Sequence, residues 1–372
     1  MEKIEIKIEV KTSCNIWNGE KVPPILTKDV GNKIIINDID YDWFAKLPLE
    51  KQKEYIYKDI NEFKLNPIRK IEKKYEHINL NRKEIILTLK TKKDNIDVPY
   101  IPGSVIKGYF KTAILWKYLK QNVSEINNLT NYLRKVLDPK KRNINKILFR
   151  EIDNVLFRGY DSNTPIIRKA LNDLFEIYSN KRNLLIKDMG FSDCFSQEKI
   201  NFKVVPVEIY SFSDNKHIFF KKPFSPLVIE AFVGEFYGNL FIPEDKADEL
   251  LEIAKKYFEW CVDREIELCK LDRITPEIKK YSENLKQIKT TANGKIGIYA
   301  GSIYKTIFGL IEEHDPYFAT ELINLLSPLR RAKYKNGGKR KVKNNKVWPP
   351  YPKTIKMEMY SQPLGIINIS II

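Results

Sequence analysis

The stretch from Tyr100 to Lys117 ties a Pro-Gly turn to the start of an amphipathic helix, and so fixes where extended chain stops and helix begins. Pro102 and Gly103 end the extended run and turn the backbone. Ser104 is placed to cap the helix, whose first amides lack intrahelical acceptors and are aimed at an anion. Lys107 and Lys111, one turn apart, add full charges on one side. Ile106, Phe110, Ala113, Ile114 and Trp116 supply the side that faces a sheet. The pattern suits a phosphate cradle; an ordinary capped helix with solvated lysines fits the same residues.

Charge favours the cradle. In 372 residues, 65 Lys and Arg stand against 48 Asp and Glu, a formal net charge of +17, which points to a polyanionic partner. A ribosome-associated or membrane-surface protein would share that balance, so its distribution matters more. Between Arg330 and Lys356 lie eleven basic residues and no acidic one, interleaved with Tyr334, Trp348 and Tyr351 and opened by Gly337-Gly338. A solvated face mixes signs, so this run reads as nucleic-acid contact, with Arg331, Lys339, Arg340, Lys341 and Lys343 as contact residues. No apolar run is long enough to span a bilayer, and Met1 to Val10 alternates like a strand instead of a signal peptide. The expectation is a cytoplasmic protein with no membrane partner. Cys14, Cys194, Cys261 and Cys269 show no CxxC spacing and read as free thiols, so neither a metal nor a cofactor is expected.

Along the chain, residues 3–12 read as a half-buried strand with Ile4, Ile6, Ile8 and Val10 on one face. Lys33 to Asp38 is a short strand, and Trp43 to Leu65 is helical with a break at Pro48. Residues 66–83 lack a period and read as variable surface. Ile85 to Leu89 is a strand before the turn, and residues 121–180 form a helical insertion. Leu184 to Asp188 and Phe202 to Ser211 are strands, with Pro206 favouring an edge. Leu227 to Ile242 reads as a strand pair around Gly234 and Gly238, followed by a long helix from Pro243 to Leu271, a glycine-rich loop from Gly294 to Gly309, a helix around Glu321, and a terminal strand within Pro363 to Ile371. This is an α+β chain in two ferredoxin-like units with helical insertions, residues 1–222 and 223–372, divided near Lys222.

Ile101-Pro-Gly-Ser-Val-Ile-Lys-Gly108 resembles the "IPGSSLKG" signature of the RAMP superfamily, the RRM-like RNA-binding subunits of CRISPR effector complexes. Further segments are similar to one branch, the large cap subunit, or fifth subunit, of the type III-A Csm complex. Gly19 to Val30 is similar to its "GxxxxPxDYV" loop and Ile34 to Asp38 to the strand after it. Lys295 to Ser302 resembles its "RIGWGSG" loop, with Ile298 and Ala300 in place of Trp and Gly. Pro352-Lys-Thr354 and Pro363-Leu-Gly365 resemble its "PKTR…PLGW" close, without the final Trp. The resemblance implies two RAMP ferredoxin-like domains and a non-catalytic subunit. It would bind the 3′ region of guide RNA (crRNA), meet target single-stranded RNA indirectly, cap the backbone RAMP subunits, and support 3′-end maturation with host nucleases as further partners. It implies backbone contacts from Gly103, Ser104, Lys107 and Lys111, and a second phosphate-facing loop with Gly294, Lys295, Gly297, Gly301 and Ser302. Contacts to backbone suit a subunit that must accept any spacer.

Two other classes stay open. A metal-independent endoribonuclease that cleaves CRISPR repeats shares a double ferredoxin fold, and cutting would need a framed histidine. His77, His217 and His314 lie in isolated settings that read as surface or structural. Asp29 could stand for the loop aspartate of metal-dependent backbone subunits, yet its place in the loop motif reads as structural; Asp38, Asp40 and Asp42 form an alternating acidic trio that could bind a cation but reads better as caps of the helix at Trp43. A general RNA-binding protein would share the basicity; aromatic RNP strands of the RRM type are not found.

Overall fold

The computed structural model describes residues 2–57, 64–80, 83–93, 96–136, 166, 169–170, 189–213, 216, 218–222, 227–242, 246–270, 275–326, 340–348, 350, 352 and 354–372. In β1 (Glu2–Cys14), Ile6, Ile8 and Val10 are buried on one face. β2 (Trp17–Val22) follows, then β3 (Thr27–Val30) and β4 (Lys33–Ile39), an antiparallel hairpin. Helices α1 (Tyr41–Ala45) and α2 (Leu49–Tyr57) are separated around Pro48, and Asp40 caps α1 by accepting the Trp43 amide at 3.0 Å. Where variable surface was expected, β5 (Leu65–Lys73) pairs with β4. Its alternation is hidden because one inward position is Lys73, whose ammonium meets Asp29 at 2.9 Å while Asp29 also accepts the Leu80 amide at 2.7 Å. Asp29 thus ties a loop to a strand, in keeping with a structural role.

β6 (Ile85–Thr88), β7 (Lys90–Lys93) and β8 (Ile96–Ile101) lead into α3 (Gly103–Gln121) and α4 (Val123–Val136); most of the rest of the helical insertion expected over 121–180 lies outside the described residues. The strand expected at Leu184 to Asp188 lies outside the described residues. Next come β9 (Gly190–Phe191), β10 (Cys194–Phe195), β11 (Lys203–Ser213), β12 (Ile218–Lys221) and β13 (Leu227–Ile242). Helices α5 (Ala247–Cys269) and α6 (Pro276–Lys289) precede β14 (Gly294–Lys295). Three more helices, α7 (Gly301–Lys305), α8 (Phe308–His314) and α9 (Pro316–Leu326), precede the hairpin of β15 (Lys341–Lys343) and β16 (Lys346–Trp348). The described chain closes with β17 (Thr354–Glu358) and β18 (Ile366–Ile371).

β18, β1 and β13 are antiparallel neighbours, and β9 and β10 pair with the other edge of β13. With α3 between β1 and β9, and α5 between β13 and β18, these elements form a ferredoxin-like βαββαβ unit. The unit draws on both halves of the chain, so the expected boundary near Lys222 does not separate one sheet from another. A single apolar cluster takes in Ile6 and Ile369 alike. α3 and α5 pack together through Trp116 and Tyr257, ring centroids 5.6 Å apart, and through the Tyr109 hydroxyl, which donates to the Ala254 carbonyl at 3.0 Å. β11, β5, β4 and β3 extend the sheet over a second apolar cluster around Ile34, Ile71 and Val204.

Two expectations for strands are corrected. Leu227 to Ile242 is one long strand, not a pair: Gly234, at φ +146, absorbs a register shift against β1 instead of turning the chain. Pro206 is buried in β11, which has neighbours on both sides. It is tolerated there because β5 pairs only at Lys203 and Val204, and β17 only from Val207 onward, so its missing N–H falls in the gap. Among the described residues no helix is long and apolar enough to cross a membrane.

Candidate nucleic-acid interface

The first turn of α3 departs from the reading of its sequence. Pro102 is the N-cap and has no capping side chain, while Ser104 sits inside the first turn with its surface exposed. The Gly103 amide donates to Asp193 Oδ1 at 2.9 Å, so the protein's own carboxylate fills the expected cradle. Gly103 is a packing position: a Cβ there would lie 2.1 Å from the Phe191 carbonyl oxygen.

A groove opens beside that turn. Ser104, Gly108 and Thr112 line one wall, Lys295 to Ile298 the other, with Trp17 and Lys305 also on its lining and a volume of about 480 Å³. The two motifs nearly two hundred residues apart in sequence thus share one cavity. The loop wall is strapped in place, because Ile296 donates its amide to the Gly365 carbonyl at 2.8 Å and Ile298 to the Asn15 carbonyl at 2.9 Å. Gly297 turns between them at φ +89, where a Cβ would lie 2.6 Å from the Asn15 carbonyl oxygen.

The cations of the groove divide into two kinds. Lys295 is 3% exposed, its ammonium 3.0 Å from Glu265 Oε2 and 4.5 Å from the centre of the Tyr304 ring. Its charge is spent inside the protein, so the phosphate contact expected of Lys295 is replaced by a strut beneath the loop. Lys305 donates to the Gly297 carbonyl at 2.8 Å, and burial together with repulsion from Lys356 holds its ammonium below the usual lysine range. Nearby Cys14 has its thiol pushed up to about 12 by burial. Trp17 is 48% exposed, with its indole N–H donating to the Glu20 carbonyl at 3.2 Å. A pinned aromatic, a rigid loop backbone and a cation suit a strand whose phosphates and bases are exposed.

Other expected contact residues fall elsewhere. Lys107 and Lys111 are half-buried on the stripe of α3 next to the groove wall. Gly294 and Gly301 do not line it, and the Ser302 side chain lies outside the described residues. Arg340 is 7% exposed, with its amide and carbonyl bonded to the Asn324 side chain at 2.9 Å each, so it holds the β15–β16 hairpin and is not a surface contact. Lys341 is exposed on that hairpin, and Lys343 lies over the Trp348 ring at 4.7 Å. Arg331 and Lys339 lie outside the described residues. His77 Nε2 is 3.0 Å from the Tyr360 hydroxyl and His314 Nε2 is 2.6 Å from Asn127 Oδ1; neither lines the groove. Trp17 and Lys305 were missed by sequence reading; an isolated Trp in the polar run Asn15-Ile-Trp-Asn-Gly19 was the available signal.

Fold and groove together define a basic, ferredoxin-like α+β protein with a groove between α3 and the glycine-rich loop. No family model matches the chain, and no curated protein does. Among solved structures it is similar to a chain of the Csm–crRNA–target RNA ternary complex of a type III-A CRISPR-Cas system, determined by cryo-electron microscopy. The likeness has a TM-score of 0.62 and 17% identity over 99% of this chain and 100% of that one. A crystal structure of T. onnurineus Csm5 aligns at a TM-score of 0.49 with 15% identity, over 97% of this chain and 99% of that chain. The chain therefore has the fold of a type III-A Csm complex chain.

Proposed function

We propose that this chain is the non-catalytic cap subunit of a type III-A Csm effector complex. It binds the 3′ region of the guide RNA, ends the filament of backbone subunits and supports maturation of the guide's 3′ end. The observation that carries the reading is the meeting of the two resembling motifs, the α3 turn and the glycine-rich loop, across one groove with Lys305 and an exposed Trp17 on it. The fold likeness to a chain of an RNA-loaded Csm complex supports it. A groove walled by backbone and an aromatic accepts any sequence, which a subunit serving many guides requires. Within this reading, guide RNA and other Csm subunits are the partners, target RNA is met through the guide, and host nucleases act after docking.

The test is to tag the chain in its own host, purify it at native salt, sequence the bound RNA and identify the bound proteins. Spacer-bearing small RNAs with a constant repeat-derived 5′ tag, together with other Csm subunits, are expected. Ribosomal or mixed cellular RNA without those subunits overturns the reading.

A further inference from the structure

A second basic corner lies just past the loop wall, built from three elements. Lys356 of β17 stands opposite Ile209 of β11, and the Lys222 amide donates to the Ile209 carbonyl at 2.9 Å from the other side. Residues directly across a pleated sheet point to one face, so these two lysines flank Ile209 on the same side. Tyr299 of the glycine-rich loop meets that corner: the Lys356 ammonium lies 4.9 Å from the centre of its ring. The Tyr299 side chain is 8% exposed, and its hydroxyl has no hydrogen-bond partner among the described residues. Lys305, held on the same loop by the Gly297 carbonyl, brings in a third ammonium.

Lysines that crowd like this normally interleave with carboxylates, as Lys7 with Glu235 and Lys289 with Asp263 do elsewhere in the molecule. Among the described residues no carboxylate forms an ion pair with Lys305 or Lys356. Burial and mutual repulsion hold both ammonium groups below the usual lysine range, Lys305 against Lys356 and Lys356 against Lys222. An anion seated between them would relieve that repulsion.

We propose that Lys222, Lys305 and Lys356, on the floor made by Tyr299, form a phosphate subsite that takes a phosphodiester of single-stranded RNA where the strand leaves the groove. The inference rests on the RNA-holding reading above and adds a direction to it: the strand runs from the α3 wall past Gly297 toward β17.

The test measures binding of a fluorescent single-stranded RNA to the full chain across a salt series. Each phosphate that the protein ceases to neutralise lowers the slope of log K against log salt by about 0.7 for single strands. Lys222→Gln/Lys356→Gln is expected to lose about 0.7 of slope, and Lys222→Arg/Lys356→Arg to keep it, which separates charge from fold. Lys255→Gln/Lys256→Gln, on an exposed stretch of α5, makes the same change in net charge and is expected to keep the slope. An unchanged slope in the first pair, or an equal loss in the α5 pair, overturns the subsite while leaving the RNA-holding reading intact. No binding by the unmodified chain at any salt overturns both.

Discussion

Lys295 and Glu265 face each other inside the molecule at 3.0 Å, and the Glu265 carboxylate also accepts the hydroxyls of Tyr281 and Tyr304 at 2.8 Å each. The pair joins the glycine-rich loop to the C-terminal turns of α5. Removing one member of a buried pair leaves the other charge uncompensated, at about 3–5 kcal/mol. Lys295→Met is therefore expected to lower the free energy of urea unfolding by that order, and Lys295→Met/Glu265→Gln by less. A variant of unchanged stability that binds RNA poorly would instead make Lys295 a contact residue.

Gly103 and Gly108 lie on the same helix and predict opposite outcomes. Gly103→Ala drives a methyl into the Phe191 backbone and is expected to cost about 1–3 kcal/mol or more in unfolding experiments. A Cβ at Gly108 meets nothing within 4 Å, so Gly108→Ala should stabilise α3 by up to about 1 kcal/mol while narrowing the groove. Weaker RNA binding by this more stable variant would separate the site from the scaffold.

Trp17→Ala removes the exposed ring from the groove. Stacking on an aromatic contributes about 1–3 kcal/mol per base, so affinity for single-stranded RNA should fall by roughly fivefold or more, with a native far-ultraviolet circular dichroism spectrum. Trp17→Phe should recover most of it.

The cysteines supply a pH prediction. Burial pushes the thiols of Cys14 and Cys194 up to about 12 from a usual value of 9.0. At pH 8 both should resist iodoacetamide in the native protein and react once urea unfolds it. The folded state holds protons that the unfolded chain releases, so stability is full below pH 9 and declines as pH rises toward 12. A urea midpoint that rises over that window would contradict the burial.

Much of this architecture was legible because apolar period and turn chemistry agree where the core is deepest. β1, α3, α5 and β18 all fall near their expected positions for that reason. The reading failed where a buried polar residue broke the period, as at Lys73 in β5, or where a residue's usual role was overridden by its neighbours, as at Pro206. The groove was legible as two motifs but not as chemistry: nothing local to Lys295 tells that Glu265, thirty residues away, awaits it together with two tyrosines. Arg340 was misread for the same reason, since a basic run in sequence does not show which member turns inward against Asn324.

The placement of β1 between β13 and β18 has a consequence for biosynthesis. β1 is synthesised before both of its partners, so one of its edges waits for Leu227–Ile242 and the other for Ile366–Ile371. A nascent or truncated chain that stops before Ile366 keeps an open strand edge on β1, a state prone to adhesion. Docking of the late strand thus closes an edge of β1 that any shorter chain leaves open to unintended pairing.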